Sequence, residues 1–187
     1  MADEIKIISK LVKIPIKKLH IQFIPVVTPM DIWNYDMSLK HSPHVELLRF
    51  IYKHGFDWKK IMKSRFARIR QHRYVMGMDK WTNDRIKEHV RKRWDIFESL
   101  RKKSFIKKKS KKKPIIVLEV PFWQSRFGYK AKWLKGPELW NGGRRCAAAR
   151  VLGWETIPGF YAVDRYPGTK RKGRFENKLL NVEGVFE

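Results

Sequence analysis

The residue types best suited to chemistry in this chain are two glycines followed by two arginines, Gly142, Gly143, Arg144 and Arg145. Glycine reaches backbone angles that are closed to other residues, so the pair predicts a tight turn. The alanine-rich run at 144–152 favours a helix directly after it. The first N–H groups of a helix have no partner within the helix, and the helix dipole is positive at that end. Arginines placed there oppose the dipole, which makes sense if an anion binds, most commonly phosphate.

The flanking residues predict the elements that must hold this turn in place. Residues 138–141 can form the end of a strand that leads into it. Gly153 stands where a left-handed residue would end the helix. Thr156 and Ile157 then lead into the apolar run at 160–163, which predicts a second strand. The order is therefore strand, glycine turn, short helix and strand.

The same residues resemble a known family. Gly142, Arg145 and Ala148 fit the Gly-x-x-Arg-x-x-Ala motif of the ParB N-terminal domain, in the ParB/sulfiredoxin-like superfamily. Residues 152–158 resemble that family's step into its next strand. Residues 114–118 resemble its Pro-Ile strand, and residues 14–19 its opening strand. The resemblance implies an α+β fold, with a small mixed β-sheet and packed helices.

In this family the motif holds nucleotide phosphates, CTP in the partition proteins. The implied cofactor is a nucleoside triphosphate, CTP or ATP, with Mg²⁺. Sulfiredoxin's catalytic cysteine would fall at Gly143, so its thiol chemistry is absent, and Cys146 lies three residues further on inside the predicted helix. The implied nucleotide- or phosphate-binding residues are Asn141, Gly142, Gly143, Arg144, Arg145 and Ala148.

The charge of the chain points to a polyanionic partner. Its 43 Lys and Arg against 18 Asp and Glu give a formal net charge of +25 over 187 residues. Such an excess repels itself in a compact state and is usually balanced by a polyanion. Nucleic acid, with DNA the first choice, is the leading partner, an anionic membrane surface the second, and a merely soluble basic surface the third interpretation.

Other composition signals exclude several classes of protein. One cysteine excludes a disulfide framework, and six scattered histidines predict no metal site. No apolar run approaches the roughly 20 residues that span a bilayer. We therefore expect a cytoplasmic protein without a membrane partner, nucleoid-associated in a cell that lacks a nucleus.

The middle of the chain predicts helices and a basic loop. Ser42 and Pro43 are typical of a helix start, and Thr82 precedes an amphipathic helix that ends near Lys103. We interpret the chain as a single domain, 1–187, with a helical insertion at about 40–104. Residues 101–113 hold nine Lys or Arg in thirteen positions, which is typical of a loop that contacts nucleic acid. The candidate nucleic-acid-binding residues are Arg91, Arg93, Arg101, Lys102, Lys103, Lys107, Lys108, Lys109, Lys111, Lys112 and Lys113.

Three functions are compatible with these features. The first is a DNA-binding protein with a ParB-like nucleotide or phosphate pocket, which contacts the DNA backbone without reading its sequence. The second is a nucleotide-dependent phosphotransferase or nuclease on the same scaffold, which would need a positioned acid or metal-binding carboxylates. The third is an architectural nucleic-acid binder with a degenerate pocket. The candidate catalytic residues for the second function are Glu119, Glu138 and Glu176.

Overall fold

A mixed six-stranded sheet and five α-helices make up the described part of the chain, so the fold is α+β. The computed structural model describes residues 5–21, 38–71, 81–103, 114–120 and 137–164. The strands are β1 (Ile5–Ile7), β2 (Val12–Pro15), β3 (His20–Ile21), β4 (Ile116–Leu118), β5 (Glu138–Asn141) and β6 (Thr156–Asp164). The helices are α1 (Pro43–His54), α2 (Trp58–Met62), α3 (Arg65–Gln71), α4 (Asn83–Lys103) and α5 (Gly143–Val151).

The sheet is built around its longest strand, β6, in the order β1-β6-β4-β5-β3. One edge of β6 pairs antiparallel with β2 and then with β1, while its other edge pairs parallel with β4. Strand β4 pairs antiparallel with β5, and β5 pairs parallel with β3. The predicted small mixed sheet is confirmed, as are the strands that flank the glycine turn.

The opening strand is shorter than residues 14–19 predict. Strand β2 ends at Pro15, and a turn of 3₁₀-helix follows at Ile16–Lys18. Ile16 and Leu19 are both buried, and residues three apart point the same way on a 3₁₀-helix. The chain therefore turns to bury both side chains on one side, which a continuous strand could not do.

The ends of α5 agree with the signals in its sequence. Gly153 takes a left-handed conformation, with φ +79°. Its N–H donates to the carbonyl of Arg150, and the Trp154 N–H donates to the carbonyl of Ala149 at 3.0 Å. These two bonds form a Schellman motif, which satisfies carbonyls at the end of the helix.

Helix α5 is buried through most of its length. Four consecutive side chains are fully buried, at positions 146–149. They share one hydrophobic core with sheet residues such as Val117, Leu139 and Ile157, and α5 also packs against α1 and α4. A helix that is buried all round needs small apolar side chains, which explains the run of alanines.

The helices at 43–103 begin and end where their capping residues predict. The Ser42 hydroxyl accepts from the Val45 N–H, Gly55 ends α1 at φ +71°, and Thr82 caps α4 through the Arg85 N–H at 3.3 Å. Tyr52 follows the buried α1 residues Leu47, Leu48 and Ile51 but is itself 57% exposed, with its ring 5.4 Å from that of Phe97.

These helices form a second hydrophobic core, which is joined to the first through Trp94. The second core contains apolar residues of α1, α2, α3 and the first half of α4. Trp94 packs against both cores, stacks on Phe97 at 4.9 Å, and meets the edge of Phe56 at 5.8 Å. The helical part is therefore packed onto the rest of the described chain through shared side chains.

Removing the Trp94 side chain should be costly because it joins the two cores. We expect Trp94→Ala to lower the free energy of unfolding by about 3 kcal/mol, the lower end for a large aromatic residue because the ring is only partly buried. Urea unfolding measures this change. Tyr52→Ala is the control, and its exposed ring should cost under about 1 kcal/mol. Equal losses in the two variants would contradict the bridging role.

Candidate functional site

The glycine turn depends on one of its two glycines. Gly142 caps α5 in a left-handed conformation, with φ +93°. A Cβ atom placed on it would lie 2.6 Å from Cγ1 of Ile115 and 3.3 Å from Nη2 of Arg145. Gly143 is the first helical residue, and a Cβ placed on it would meet nothing within 4 Å. The expectation that both glycines make the turn is therefore corrected, because only Gly142 needs to lack a side chain.

The side chains on either side of this turn converge on one carbonyl group. The Asn141 side-chain amide donates to the Pro114 carbonyl oxygen at 2.9 Å, and Nη2 of Arg145 donates to the same oxygen at 3.3 Å. This contact joins the end of β5, the start of α5 and the residue that leads into β4. Lys113, the last residue of the lysine block, is bonded directly to Pro114. The lysine block therefore ends at the residue before Pro114, whose carbonyl accepts from Asn141 and Arg145.

Arg145 carries a partly buried charge at the start of the helix. Burial lowers the pKa of its guanidinium, which means that the surroundings disfavour the cation. Within the described ranges, no carboxylate lies within ion-pairing distance of it. The Arg145 and Cys146 N–H groups donate to the Gly142 carbonyl at 2.9 and 3.0 Å, which leaves the N–H groups of Gly143 and Arg144 without an acceptor inside the helix. The start of the helix therefore offers an anion two backbone donors and the Arg145 cation.

The other two residues of the predicted motif have different positions. Arg144 is exposed, and its charge acts on His44 of α1 and His89 of α4 rather than on the Pro114 carbonyl. Ala148 is fully buried in the core, so its small size serves the packing of α5. The two adjacent arginines thus point to different neighbours.

Cys146 has no features of a reactive thiol. It is fully buried in α5, and this burial raises the pKa of its thiol to about 12. A thiolate is the nucleophilic form, and at neutral pH almost none is present at such a pKa.

The predicted catalytic carboxylates do not gather at the turn. Glu138 pairs with Leu118 across β4 and β5, whereas Asn141 pairs with Ile116. Because the two strands are antiparallel, Glu138 and the exposed Glu119 lie at the end of the strands away from the turn. Three strand residues span roughly 10 Å. The candidate catalytic residues Glu119 and Glu138 therefore lie away from the Gly142 turn, and Glu176 lies outside the described residues.

Several basic residues of α4 pair with acidic residues of the same helix. Glu98 pairs with Arg101 at 2.9 Å and with Lys102 at 3.6 Å, and Glu88 pairs with Lys92. Exposed pairs of this kind contribute only about 0–1 kcal/mol each and leave the cations accessible. Arg101 and Lys102 therefore remain on the surface as predicted.

Arg93 is the clear exception among the predicted nucleic-acid contacts. It is 4% exposed, and its guanidinium lies 4.5 Å from the centre of the Phe66 ring. The prediction that Arg93 contacts nucleic acid is therefore corrected, because tertiary packing buries its side chain away from solvent. Arg91 is exposed, with its guanidinium 5.5 Å from the Trp58 ring. Lys103 ends α4, and the remaining predicted contacts, Lys107, Lys108, Lys109, Lys111, Lys112 and Lys113, lie outside the described residues.

One group of residues was missed by the sequence reasoning. Trp81, Arg85 and His89 lie at four-residue intervals and come together with Arg70 of α3. The four-residue spacing predicts that these side chains are neighbours on one helix face, but only the apolar positions of α4 were used to predict its packing.

The described ranges contain neither a group of three His, Cys, Asp or Glu that could hold a metal ion nor a helix long and apolar enough to cross a membrane. The candidate site consists of the left-handed Gly142, the donors Asn141 and Arg145, and the Pro114 carbonyl that both donors contact.

Comparison of the chain with protein-family models, with curated proteins and with solved structures gives no match.

Proposed function

We propose that this protein binds DNA through its backbone phosphates and holds a nucleoside triphosphate at the Gly142 turn, on a ParB-like domain. The observation that carries the proposal is the Arg145 guanidinium, a partly buried cation beside the first N–H groups of α5 with no carboxylate paired to it in the described ranges. Burying a cation costs free energy unless a counter-charge compensates it. A phosphate at the turn would supply that charge, and a triphosphate would bring Mg²⁺ with it.

The overall charge supports the DNA-binding part of the proposal. A net charge of +25 is large for 187 residues, and six lysines precede Pro114 within seven positions. Such a segment neutralises backbone phosphates without reading bases. Because the block ends at the carbonyl that Arg145 contacts, a nucleotide and a DNA backbone would be bound side by side. We propose a cytoplasmic, nucleoid-associated location on the same grounds.

An architectural nucleic-acid binder with a degenerate pocket, which no longer binds a nucleotide, is the second candidate. It is favoured by one observation, the bonds that Asn141 and Arg145 already make to the Pro114 carbonyl. In that case the two side chains only fix the start of β4 against α5. Phosphotransfer or nuclease activity has less support, because Glu119 and Glu138 lie at the far end of their strands.

Nucleotide titration of Arg145→Ala separates these candidates. A charge-assisted hydrogen bond contributes about 1.5–3 kcal/mol, so the variant should bind triphosphates about 10- to 100-fold more weakly than the parent. Isothermal titration with CTP and ATP, each with Mg²⁺ and with and without DNA, measures the affinity. Melting temperatures of both proteins show whether folding is intact.

Arg150→Ala is a matched control, because Arg150 lies on the same helix at the opposite end from the turn. Its nucleotide affinity should equal that of the parent. If no triphosphate binds the parent and Arg145→Ala only lowers its melting temperature, the architectural function replaces the nucleotide-binding one.

A further inference from the structure

A row of basic and aromatic side chains runs along one face of α4, starting just before its first residue. Its members are Trp81, Arg85, His89 and Arg93, each four positions from the next. Residues four apart are neighbours on a helix surface. The row is exposed at Arg85 and ends inside the protein at Arg93. Arg85 and His89 lie off the apolar stripe that α4 packs into the two cores, whereas Trp81 packs against the second core.

The Trp81 ring gathers three basic groups. Its centre lies 4.6 Å from the Arg70 guanidinium, 4.9 Å from that of Arg85 and 4.2 Å from the His89 ring. The backbone N–H of Trp81 also donates to the backbone carbonyl of Arg70 at 2.9 Å, which fixes the end of α3 beside the start of α4. Cation–π contacts of this kind hold the guanidinium groups in place.

Arg93 forms the floor of this group. Its Nη1 donates to the His89 carbonyl at 2.9 Å, and its Nε lies 3.4 Å from Nδ1 of His44. Phe66 packs against both Arg93 and His44, with ring centres 5.5 Å apart in the latter pair. Through these contacts the buried Arg93 side chain joins α1 and α3 to α4 beneath His89.

Cations from three helices act on the two imidazoles at this place. Burial, followed by the charges of Arg93, Arg70 and Arg144, lowers the pKa of His44 well below its ordinary value. Burial and the charges of Arg93 and Arg144 likewise lower the pKa of His89, where Glu88 opposes them and Lys92 adds to them. Like charges gathered in this way repel one another, and a bound polyanion would offset that repulsion.

We propose that Arg70, Arg85, His89 and Arg144 form a second phosphate site, which holds the sugar–phosphate backbone of a nucleic acid where α4 packs against both α3 and α5. The inference rests on the proposed function, since it locates one of the contacts with the nucleic acid. Phosphate is the favoured group because guanidinium groups bind it in a bidentate manner. Stacked bases are disfavoured, since cations and His89 already contact the Trp81 ring.

The test compares two double variants with the same charge. Arg85→Gln with Arg144→Gln removes two exposed cations of the site. Arg49→Gln with Lys53→Gln removes two exposed cations of α1, on the side of that helix away from His44. Binding of a random-sequence duplex DNA is measured by fluorescence anisotropy from about 50 to 300 mM salt, the range over which phosphate contacts are resolved. Melting temperatures of all proteins are compared with that of the parent.

Each lost phosphate contact lowers the slope of log affinity against log salt by about 0.9. We expect the site variant to lose about two units of slope and about 10- to 50-fold in affinity near 150 mM salt, while the control stays within about threefold of the parent. Equal losses in the two variants would overturn the second site and leave the proposed function standing. A parent that binds no DNA at all would overturn both.

Discussion

Raising the salt concentration from 50 to 200 mM should lower the affinity of this protein for duplex DNA by about 10³–10⁵. Neutralising about six to ten phosphates displaces their counterions, and this makes log affinity fall linearly with log salt. Replacing Lys107, Lys108, Lys109, Lys111, Lys112 and Lys113 with Ser should flatten that slope by several units. Fluorescence anisotropy with duplexes of unrelated sequence measures the slope and tests the absence of sequence preference.

The matched control replaces six exposed lysines with Ser, five in the first eighteen residues and one just before α1. Both variants lose the same formal charge, so only the position of the lysines differs. We expect the control to keep most of the parent's slope, because exposed charges further away than about 8 Å are largely screened at physiological salt. Equal flattening would mean that DNA responds to total charge and that the block is not a contact. The control positions are Lys6, Lys10, Lys13, Lys17, Lys18 and Lys40.

Local signals in the sequence predicted the limits of the elements around the site well. Ser42, Thr82 and Gly153 each act through bonds to residues within five positions, so their effect can be inferred from neighbours in the chain. Gly142 belongs to the same class, since the need for positive φ arises in the turn itself. The strand, turn, helix and strand at 138–164 could therefore be predicted from the residues of that segment alone.

Strand pairing and helix packing could not be predicted in this way. Glu119 was a candidate for the same site as the turn, but the antiparallel register of β4 with β5 places it beyond Glu138, at the end of the strands away from Asn141. Arg93 stands among basic surface residues in the sequence, yet Phe66 and His44 come from elements 27 and 49 positions away and bury it. Both errors come from contacts between distant parts of the chain, which periodicity does not report.

The two glycines of the turn should respond oppositely to the same substitution. Gly142→Ala places a Cβ atom 2.6 Å from Ile115 in a left-handed backbone conformation, with φ +93°. Left-handed conformation costs an L-residue about 1–2 kcal/mol, and overpacking adds about 1–3 kcal/mol. We expect the free energy of unfolding to fall by about 2–4 kcal/mol and the melting temperature by about 5–15 °C. Gly142→Val should cost at least as much, because a β-branched residue resists positive φ more strongly.

Gly143→Ala tests the other side of this contrast. Gly143 is helical, and its added Cβ meets no atom within 4 Å, so the change removes only the entropy cost of a helical glycine. We expect the free energy of unfolding to stay unchanged or to rise by up to about 1 kcal/mol. Urea unfolding of the two alanine variants, each against the parent, measures the difference. Similar destabilisation in both would mean that the turn does not use Gly142 as its left-handed residue. If Gly142 is that residue, the Cβ atom of Gly142→Ala lies 3.3 Å from Nη2 of Arg145, and the variant should also displace Arg145 from the Pro114 carbonyl.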